Sequence, residues 1–531
     1  MKKSYKFLFK IVACVLTLAS IAPFAGCSSG KDVEVTPEPL PKTNIAPAAL
    51  EEQPEPDDSG ELITYTVNHT ISSNMVVQRN SYFNVFGKTD SSSGFIYGEF
   101  MGEKRYSKIE KDGSFTIKFS SHEATKEPQT LKIYPKNGEV TEFTDILVGD
   151  VWIVSGQSNA ELSYSLARTK YTEYDDEISE DDLIRVFSQA AYDVQTAVNE
   201  KTADVTVPRE DVFNGANCWK KTTLANVNPF SAIGYYFGKE LSKQIDVPLG
   251  LIMTAAGGAT LQELMPNEVA AKLGFTAGGL VPVCGYYNTL LYPFTRNKIT
   301  GMLFYQGESE SAGEQQYQSY AKNLAATVES YRRVFGLEFP FINVQLSSHG
   351  LAGSNNWPYV PKLRAAQYDA TKIIPNSYIV CSMDQGYVKG DPEWAHPLYK
   401  YQIGYRAAKI AAYVSYGIGD ETRMLTPEPE SVTFNDDNTI VVKFKNVGTG
   451  LTLASGEEIK GLYPYTSFWS KISCTIEQID AFTVKITPKE QAYSLGYGLI
   501  HDATSEVCNL TSSEGIPVPA FEIKNENYSG Y

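Results

Sequence analysis

The feature that most limits the possible folds is an alternation of strand-like and helix-like segments between residues 148 and 420. Five apolar runs bounded by Gly or Pro are candidate strands: 151–154, 249–254, 299–305, 341–346 and 378–383. Segments whose apolar residues recur at helical spacing lie between and after them: 231–243, 317–335 and 396–416. Strands that alternate with helices predict a parallel sheet, and so an α/β domain over residues 148–424.

Shorter, alternating apolar runs flank this region on both sides. Residues 62–147 carry them between Asn, Gly, Asp and Lys turns, which predicts a small β-sandwich. Residues 425–531 return to the same pattern and predict a second β domain. A chain of 531 residues is long enough for such a division.

The first 27 residues have the pattern of a bacterial lipoprotein signal peptide. A positively charged start precedes an apolar segment, and small residues then lead to Cys27. We expect Cys27 to be lipidated, which would hold the protein on the outer side of a membrane, at the cell surface, by a lipid anchor only. Ordinary cleavage or an uncleaved anchor is the alternative. Residues 28–61 are rich in Pro, Glu, Ala and Thr, and they predict a disordered stalk.

Charge and cysteine content exclude several classes of partner and site. The formal net charge is −16, so nucleic acid is not an expected partner. Five cysteines lie beyond Cys27, widely spaced and odd in number, and they predict neither a disulfide framework nor a zinc site. No two histidines have metal-ligand spacing, and we expect neither a metal nor a cofactor. The oligomeric state stays open.

Polar, glycine-rich segments follow several of the predicted strands, where open parallel sheets bind their ligands. They are 155–159 (SGQSN), 257–260 (GGAT), 306–309 (QGES) and 384–386 (DQG). A serine nucleophile needs an adjacent base, usually a histidine, and the chain has only five histidines. His396 begins a predicted helix three residues after Glu393, which makes it the candidate base, although it could merely cap that helix.

The same segments also contain candidate donors for an oxyanion. They are the N–H groups of Ser158 and Gly258 and a side-chain amide from Asn159 or Gln306. A tight turn is the competing interpretation of the glycine pair 257–258, and a purely structural role competes at 306–308. Ala160 stands where the nucleophile elbow of α/β-hydrolases has its second glycine, so that fold is disfavoured.

Taken together, these segments resemble the sialate O-acetylesterase family of SGNH-type hydrolases. The matching blocks are 151–159, 257–266, 301–309 and 396–397, and the resemblance extends roughly from 62 to 525. It implies a flavodoxin-like, three-layer α/β/α hydrolase domain flanked by N- and C-terminal β-sandwich-like domains. It further implies Ser158 as nucleophile and His396 as general base, with Gly258 and Gln306 in the oxyanion region. Asn159 is then a residue that holds the loop or the substrate.

The chain departs from the family pattern at two positions. The acid that normally precedes the histidine by three residues is Asp in the family and Glu393 here. Asp391 and Asp384 are alternatives, and a carbonyl in place of any acid is a further one. Glu310 replaces an Asn of the third block. We expect its charge to disfavour the carboxylate of sialic acid and to favour a neutral acetylated polysaccharide.

We therefore predict an exported carbohydrate O-acetylesterase that acts on acetylated glycans, either sialic acid or a hemicellulose-type polysaccharide. A noncatalytic, lipid-tethered glycan-binding protein that retains the esterase fold is the alternative. If His396 has an ordinary pKa of about 6.5, activity should fall at acid pH as this base becomes protonated.

Overall fold

A computed structural model describes residues 40, 44–58, 60–169, 172, 178, 183–349, 357–386 and 395–529. The predicted signal peptide with Cys27 and two of the predicted acids, Asp391 and Glu393, lie outside these residues. No helix in the described part of the chain is long and apolar enough to cross a membrane.

The N-terminal region is built from eight strands. They are β1 (Tyr65–Val67), β2 (Val76–Gln78), β3 (Phe83–Thr89), β4 (Phe95–Phe100), β5 (Glu103–Lys108), β6 (Ser114–Phe119), β7 (Thr125–Pro135) and β8 (Thr141–Gly156). Strands β1, β3 and β6 form one antiparallel sheet, and β4, β5 and β7 are paired antiparallel in another. Along β6, Phe115, Ile117 and Phe119 are buried while the residues between them are not, as expected for a strand with one face on a core.

Strand β8 belongs to two parts of the fold at once. Its first residues pair antiparallel with β7 and parallel with β2, and its last residues pair with strands of the central parallel sheet. The predicted border between residues 147 and 148 therefore falls inside a continuous strand, and the two regions share one sheet.

The central sheet adds six strands to β8. They are β9 (Ile184–Ser188), β10 (Trp219–Lys221), β11 (Leu249–Met253), β12 (Gly301–Tyr305), β13 (Phe341–Val344) and β14 (Ser377–Val380). The spatial order is β10-β9-β11-β8-β12-β13-β14, with β10 antiparallel and the others parallel. The sequence did not predict β9 and β10. The other five strands, numbered 1 to 5 along the chain from β8 to β14, have the doubly wound order 2-1-3-4-5. The predicted α/β domain is confirmed.

The helices are α1 (Ser158–Glu161), α2 (Tyr164–Ala167), α3 (Ala191–Glu200), α4 (Leu224–Val227), α5 (Ala232–Ser242), α6 (Leu261–Leu264), α7 (Asn267–Leu273), α8 (Glu314–Phe335), α9 (Val360–Ile373), α10 (Tyr401–Tyr416) and α11 (Glu421–Met424). Helix α5 packs on α10, and α8 packs on α9.

The C-terminal region consists of antiparallel sheets. Its strands are β15 (Glu428–Phe434), β16 (Ile440–Lys445), β17 (Leu451–Leu453), β18 (Leu462–Tyr465), β19 (Cys474–Gln478), β20 (Thr483–Pro488), β21 (Ser494–Tyr497), β22 (Leu510–Ser512) and β23 (Phe521–Lys524). The completely buried Arg364 of α9 joins this region to the central sheet, since its guanidinium donates to the carbonyls of Ser347 (2.6 Å) and Ile500 (2.7 Å).

Part of the predicted stalk is ordered against the N-terminal sheets. Arg105 donates to the carbonyl of Leu50 (3.0 Å), and the Tyr82 and Tyr106 hydroxyls donate to the carbonyls of Ala48 and Pro54 (both 2.9 Å). Residues 44–58 thus do not behave as the disordered linker that their composition predicted. These three backbone carbonyls, which lie outside regular secondary structure, accept hydrogen bonds from side chains of the N-terminal region.

Candidate active site

The carboxyl ends of β8 and β12 meet at the middle of the parallel sheet. Gly156 lies opposite Tyr305, and the Gln157 N–H donates to the Tyr305 carbonyl at 2.9 Å. A β-carbon on Gly156 would lie 2.0 Å from that carbonyl oxygen, and its φ is +130°, so only glycine fits where the chain leaves the strand. The chain then turns directly into α1, whose first residue is Ser158.

Ser158 and His396 are brought together at this edge of the sheet. The distance between Ser158 Oγ and His396 Nε2 is 2.8 Å, within hydrogen-bonding range, although the residues are 238 positions apart. His396 was predicted to begin a helix over 396–416, but the observed helix α10 begins only at Tyr401 and leaves His396 outside it. Because Pro397 follows it, a helical conformation is disfavoured at His396. Burial and the nearby Lys400 lower the pKa of His396 to about 4, so the imidazole is neutral and able to accept a proton at neutral pH.

Asn159 is the centre of a buried hydrogen-bond network beside this pair. Its Oδ1 accepts from Lys400 Nζ at 2.6 Å, and its Nδ2 donates to Glu308 Oε1 at 2.5 Å and to the Ala395 carbonyl at 3.0 Å. These contacts orient the amide without ambiguity, with its oxygen towards a cation and its NH2 towards a carboxylate. They also hold Ala395, the residue next to His396, against the loop that carries Ser158.

Burial strongly shifts the pKa values of the charged side chains in this network. Lys400 is completely buried and Glu308 is 3 % exposed. Burial raises the pKa of Glu308 to about 6 despite the opposing effects of Asn159 and Lys400, and it lowers the pKa of Lys400 to about 7. The sequence pattern did not single out Lys400, although its position four residues after His396 was a signal that the two could lie close together.

Gln306 lies within a second buried network. Its side chain is completely buried, and its amide NH2 donates to Gln157 Oε1 (3.2 Å), to the Ala259 carbonyl (3.3 Å) and to Glu310. Both amide hydrogens are therefore engaged by protein acceptors. This geometry gives Gln306 a role in supporting the loops around Ser158, and it does not present the amide as the oxyanion donor that the resemblance implied.

Glu310 is buried as well, which changes the expectation for its charge. It is 4 % exposed and accepts from the Leu261 N–H at 2.5 Å. Burial raises the pKa of Glu310 to about 7. The carboxyl thus braces the start of α6, and the expected repulsion of an anionic substrate by this residue loses its basis.

The glycine pair borders the nucleophile and also makes a tight turn. A β-carbon on Gly257 would lie 3.7 Å from Ser158 Cβ, and the Gly257 N–H donates to Glu161 Oε2 at 2.6 Å. Gly258 has φ +75°, within a turn closed by a hydrogen bond from the Ala259 N–H to the Ala256 carbonyl. Since the Gly257 N–H is occupied by Glu161, Gly258 remains the backbone donor candidate of the pair.

Asp384, one of the alternative acids, is paired elsewhere. Its carboxylate accepts from both terminal nitrogens of Arg406, at 2.7 and 2.6 Å. A bidentate pair of this kind is a strong structural contact. Because both carboxylate oxygens are engaged by Arg406, Asp384 does not orient His396 in this structure. Within the described ranges, no group of three or more His, Cys, Asp or Glu side chains could hold a metal ion.

The chain is similar to several known carbohydrate esterases. Residues 148–405 match the family described as "Carbohydrate esterase, sialic acid-specific acetylesterase". Sialate O-acetylesterases of Pongo abelii and Homo sapiens are 26% and 25% identical to the chain over 300 residues, which is 51% of this chain and 54% of each relative. The chain thus spans about half the length of the curated relatives it matches. A crystal structure of a carbohydrate acetylesterase from Xanthomonas citri has the same fold, with a TM-score of 0.73 and 24% identity over 87% of this chain and 100% of that one.

Proposed function

We propose that this protein, a carbohydrate esterase similar to the sialate O-acetylesterases, removes acetyl groups from glycans through an acetyl-Ser158 intermediate. The observation that carries the proposal is the 2.8 Å contact between Ser158 Oγ and His396 Nε2 at the carboxyl edge of the parallel sheet. The strand order and this pair support an SGNH-type, flavodoxin-like hydrolase domain.

The geometry supports a two-step mechanism. Ser158 Oγ attacks the acetyl carbonyl carbon while His396 Nε2 takes its proton, and the N–H groups of Ser158 and Gly258 stabilise the oxyanion. The histidine then gives the proton to the leaving sugar oxygen, and the C–O bond breaks. Water, deprotonated by the same nitrogen, cleaves the acetyl-serine ester and releases acetate. A carboxylate from Glu393 or Asp391 remains the proposed partner of His396.

Replacement of the nucleophile tests the mechanism. Ser158→Ala should lower kcat for p-nitrophenyl acetate by at least about a thousandfold, whereas Ser165→Ala, which changes an exposed serine of α2, should leave kcat unchanged. Circular dichroism and thermal unfolding establish that both variants are folded. Full turnover by Ser158→Ala would refute the assignment.

Acetate release by the wild-type protein separates the enzyme from a glycan-binding protein. If the wild-type protein binds acetylated glycans and releases no acetate from them, the binding alternative is correct. Acetate release, measured with O-acetylated sialic acid and with acetylated xylan, identifies the substrate class. Because Glu310 is buried, the structure offers no charge argument for the neutral polysaccharide over the anionic sugar.

We further propose that the enzyme is exported and anchored through a lipid on Cys27. The support is the sequence pattern of residues 1–27. Metabolic labelling with a fatty-acid analogue should mark the wild-type protein in the membrane fraction of a bacterial host. Cys27→Ser should abolish the label, and a labelled Cys27→Ser protein would contradict the proposal.

A further inference from the structure

An apolar side chain covers the glycine that borders the nucleophile. A β-carbon on Gly258 would lie 2.8 Å from Leu280 Cδ1, so this methyl group lies directly against the glycine. Leu280 nevertheless remains 49 % exposed. It is therefore in contact with the backbone beside the reacting serine and open to whatever binds there.

The backbone of Leu280 is held in place by a buried carboxylate. The completely buried Glu263 accepts from the N–H groups of Leu280 (2.5 Å) and Val281 (2.7 Å) through Oε1. Its Oε2 accepts from the N–H of Thr260 at 2.7 Å, two residues after Gly258. One carboxylate thus holds both the loop that carries Leu280 and the turn that carries Gly258.

The chemistry of the proposed reaction decides which half of the ester lies against this side chain. The leaving oxygen must reach His396 Nε2 to be protonated, so the sugar lies on the His396 side of Ser158. The oxyanion lies at the N–H groups of Ser158 and Gly258. The remaining substituent of the carbonyl carbon, the acyl methyl group, is bonded to the same carbon as the oxyanion, so it lies beside these N–H groups and within reach of the side chain that covers Gly258.

We propose that Leu280 is the specificity-determining residue for the acyl group, forming the wall on which the acetyl methyl packs and against which longer acyl chains collide. The inference rests on the proposed esterase function and adds to it the limit on acyl size. One additional methylene in an apolar pocket changes kcat/KM by about 10- to 200-fold.

The test is the ratio of kcat/KM for p-nitrophenyl propionate to that for p-nitrophenyl acetate. We expect Leu280→Ala to raise this ratio by about tenfold or more and to extend activity to the butyrate, because space opens beyond the methyl group. Leu280→Phe should lower the ratio. The matched control is Leu273→Ala, which shortens a 37 % exposed leucine at the end of α7 and should leave the ratio unchanged.

Two results would overturn the role of Leu280 while leaving the esterase intact. One is acetate turnover with an unchanged ratio in Leu280→Ala. The other is an equal loss of all three esters in that variant while it remains folded, which would indicate support of the loop and no contact with the acyl group. Failure of the wild-type protein to hydrolyse any of the esters would instead overturn the proposed function itself.

Discussion

Replacement of Lys400 by Met probes the buried network around Asn159. The change keeps the length and the apolar stem of the side chain and removes its charge and its donors. It leaves the buried Glu308 carboxylate without a cation and Asn159 Oδ1 without the 2.6 Å hydrogen bond. Removal of one member of a buried charged pair costs about 3–5 kcal/mol, whereas replacement of both members by neutral groups is often close to neutral.

Because Glu308 has a pKa of about 6 and Lys400 one of about 7, both carry charge between about pH 6 and pH 7. We therefore expect Lys400→Met to lower the free energy of unfolding by about 3–5 kcal/mol near pH 7. In the double variant with Glu308→Gln, the loss should shrink to about 1–2 kcal/mol, the cost of leaving Asn159 Oδ1 without a donor.

The pH dependence has a definite sign. Burial raises the pKa of Glu308 to about 6 in the wild type, and loss of the cation raises this pKa further. The folded Lys400→Met protein then binds a proton that the unfolded chain, with a pKa of about 4.3, releases. The destabilisation is consequently small near pH 4 and grows as the pH rises through 6.

Denaturant unfolding followed by tryptophan fluorescence measures these values at pH 5 and pH 7. The conservative single variant Glu308→Gln completes the double-mutant cycle. A double variant no more stable than the less stable of the two single variants would refute the reasoning. So would a decrease in the free energy of unfolding of Lys400→Met that is the same at both pH values.

Other expectations concern the base and the C-terminal region. Because burial and Lys400 lower the pKa of His396 to about 4, kcat/KM for p-nitrophenyl acetate should stay high down to about pH 5 and fall with a midpoint near 4, and a midpoint between 6 and 7 would contradict this environment. Arg364→Met leaves buried carbonyls of both regions without a donor, so the free energy of unfolding should fall by at least about 3 kcal/mol. Limited proteolysis of this variant should then release the C-terminal sheets. An Arg364→Met protein that resists the protease as well as the wild type does would contradict this role.

Much of this architecture could be predicted because its signals are local. Apolar runs and helical periodicity mark the strands and helices of the central domain, and the polar segment after β8 marks Ser158. Strand β10 escaped prediction because three residues, two of them lysines, show no apolar period. The bounds of the last helix were wrong at its start, where Pro397 keeps His396 out of it.

The interior of the site could not be predicted in the same way. A lysine, a glutamate or a glutamine is ordinarily exposed, and the burial of Lys400, Glu310 and Gln306 depends on partners far away in the chain. Glu310 is satisfied by the backbone of Leu261, a contact that exists only after the two strand ends have met. Its charge therefore looked available to the substrate when only the sequence was considered.

Strand β8 also has a consequence for the order in which the chain can fold. Its first half can pair with β7 as soon as both have left the ribosome, but Ile153 must wait for Ile252 and Met302, which are synthesised much later. Until then, a row of buried-type residues ends in the segment that carries Ser158, with both edges unpaired. Such non-local pairing slows folding and exposes apolar edges to aggregation. The same continuity that places the nucleophile makes its strand the last part of the N-terminal sheet to be completed.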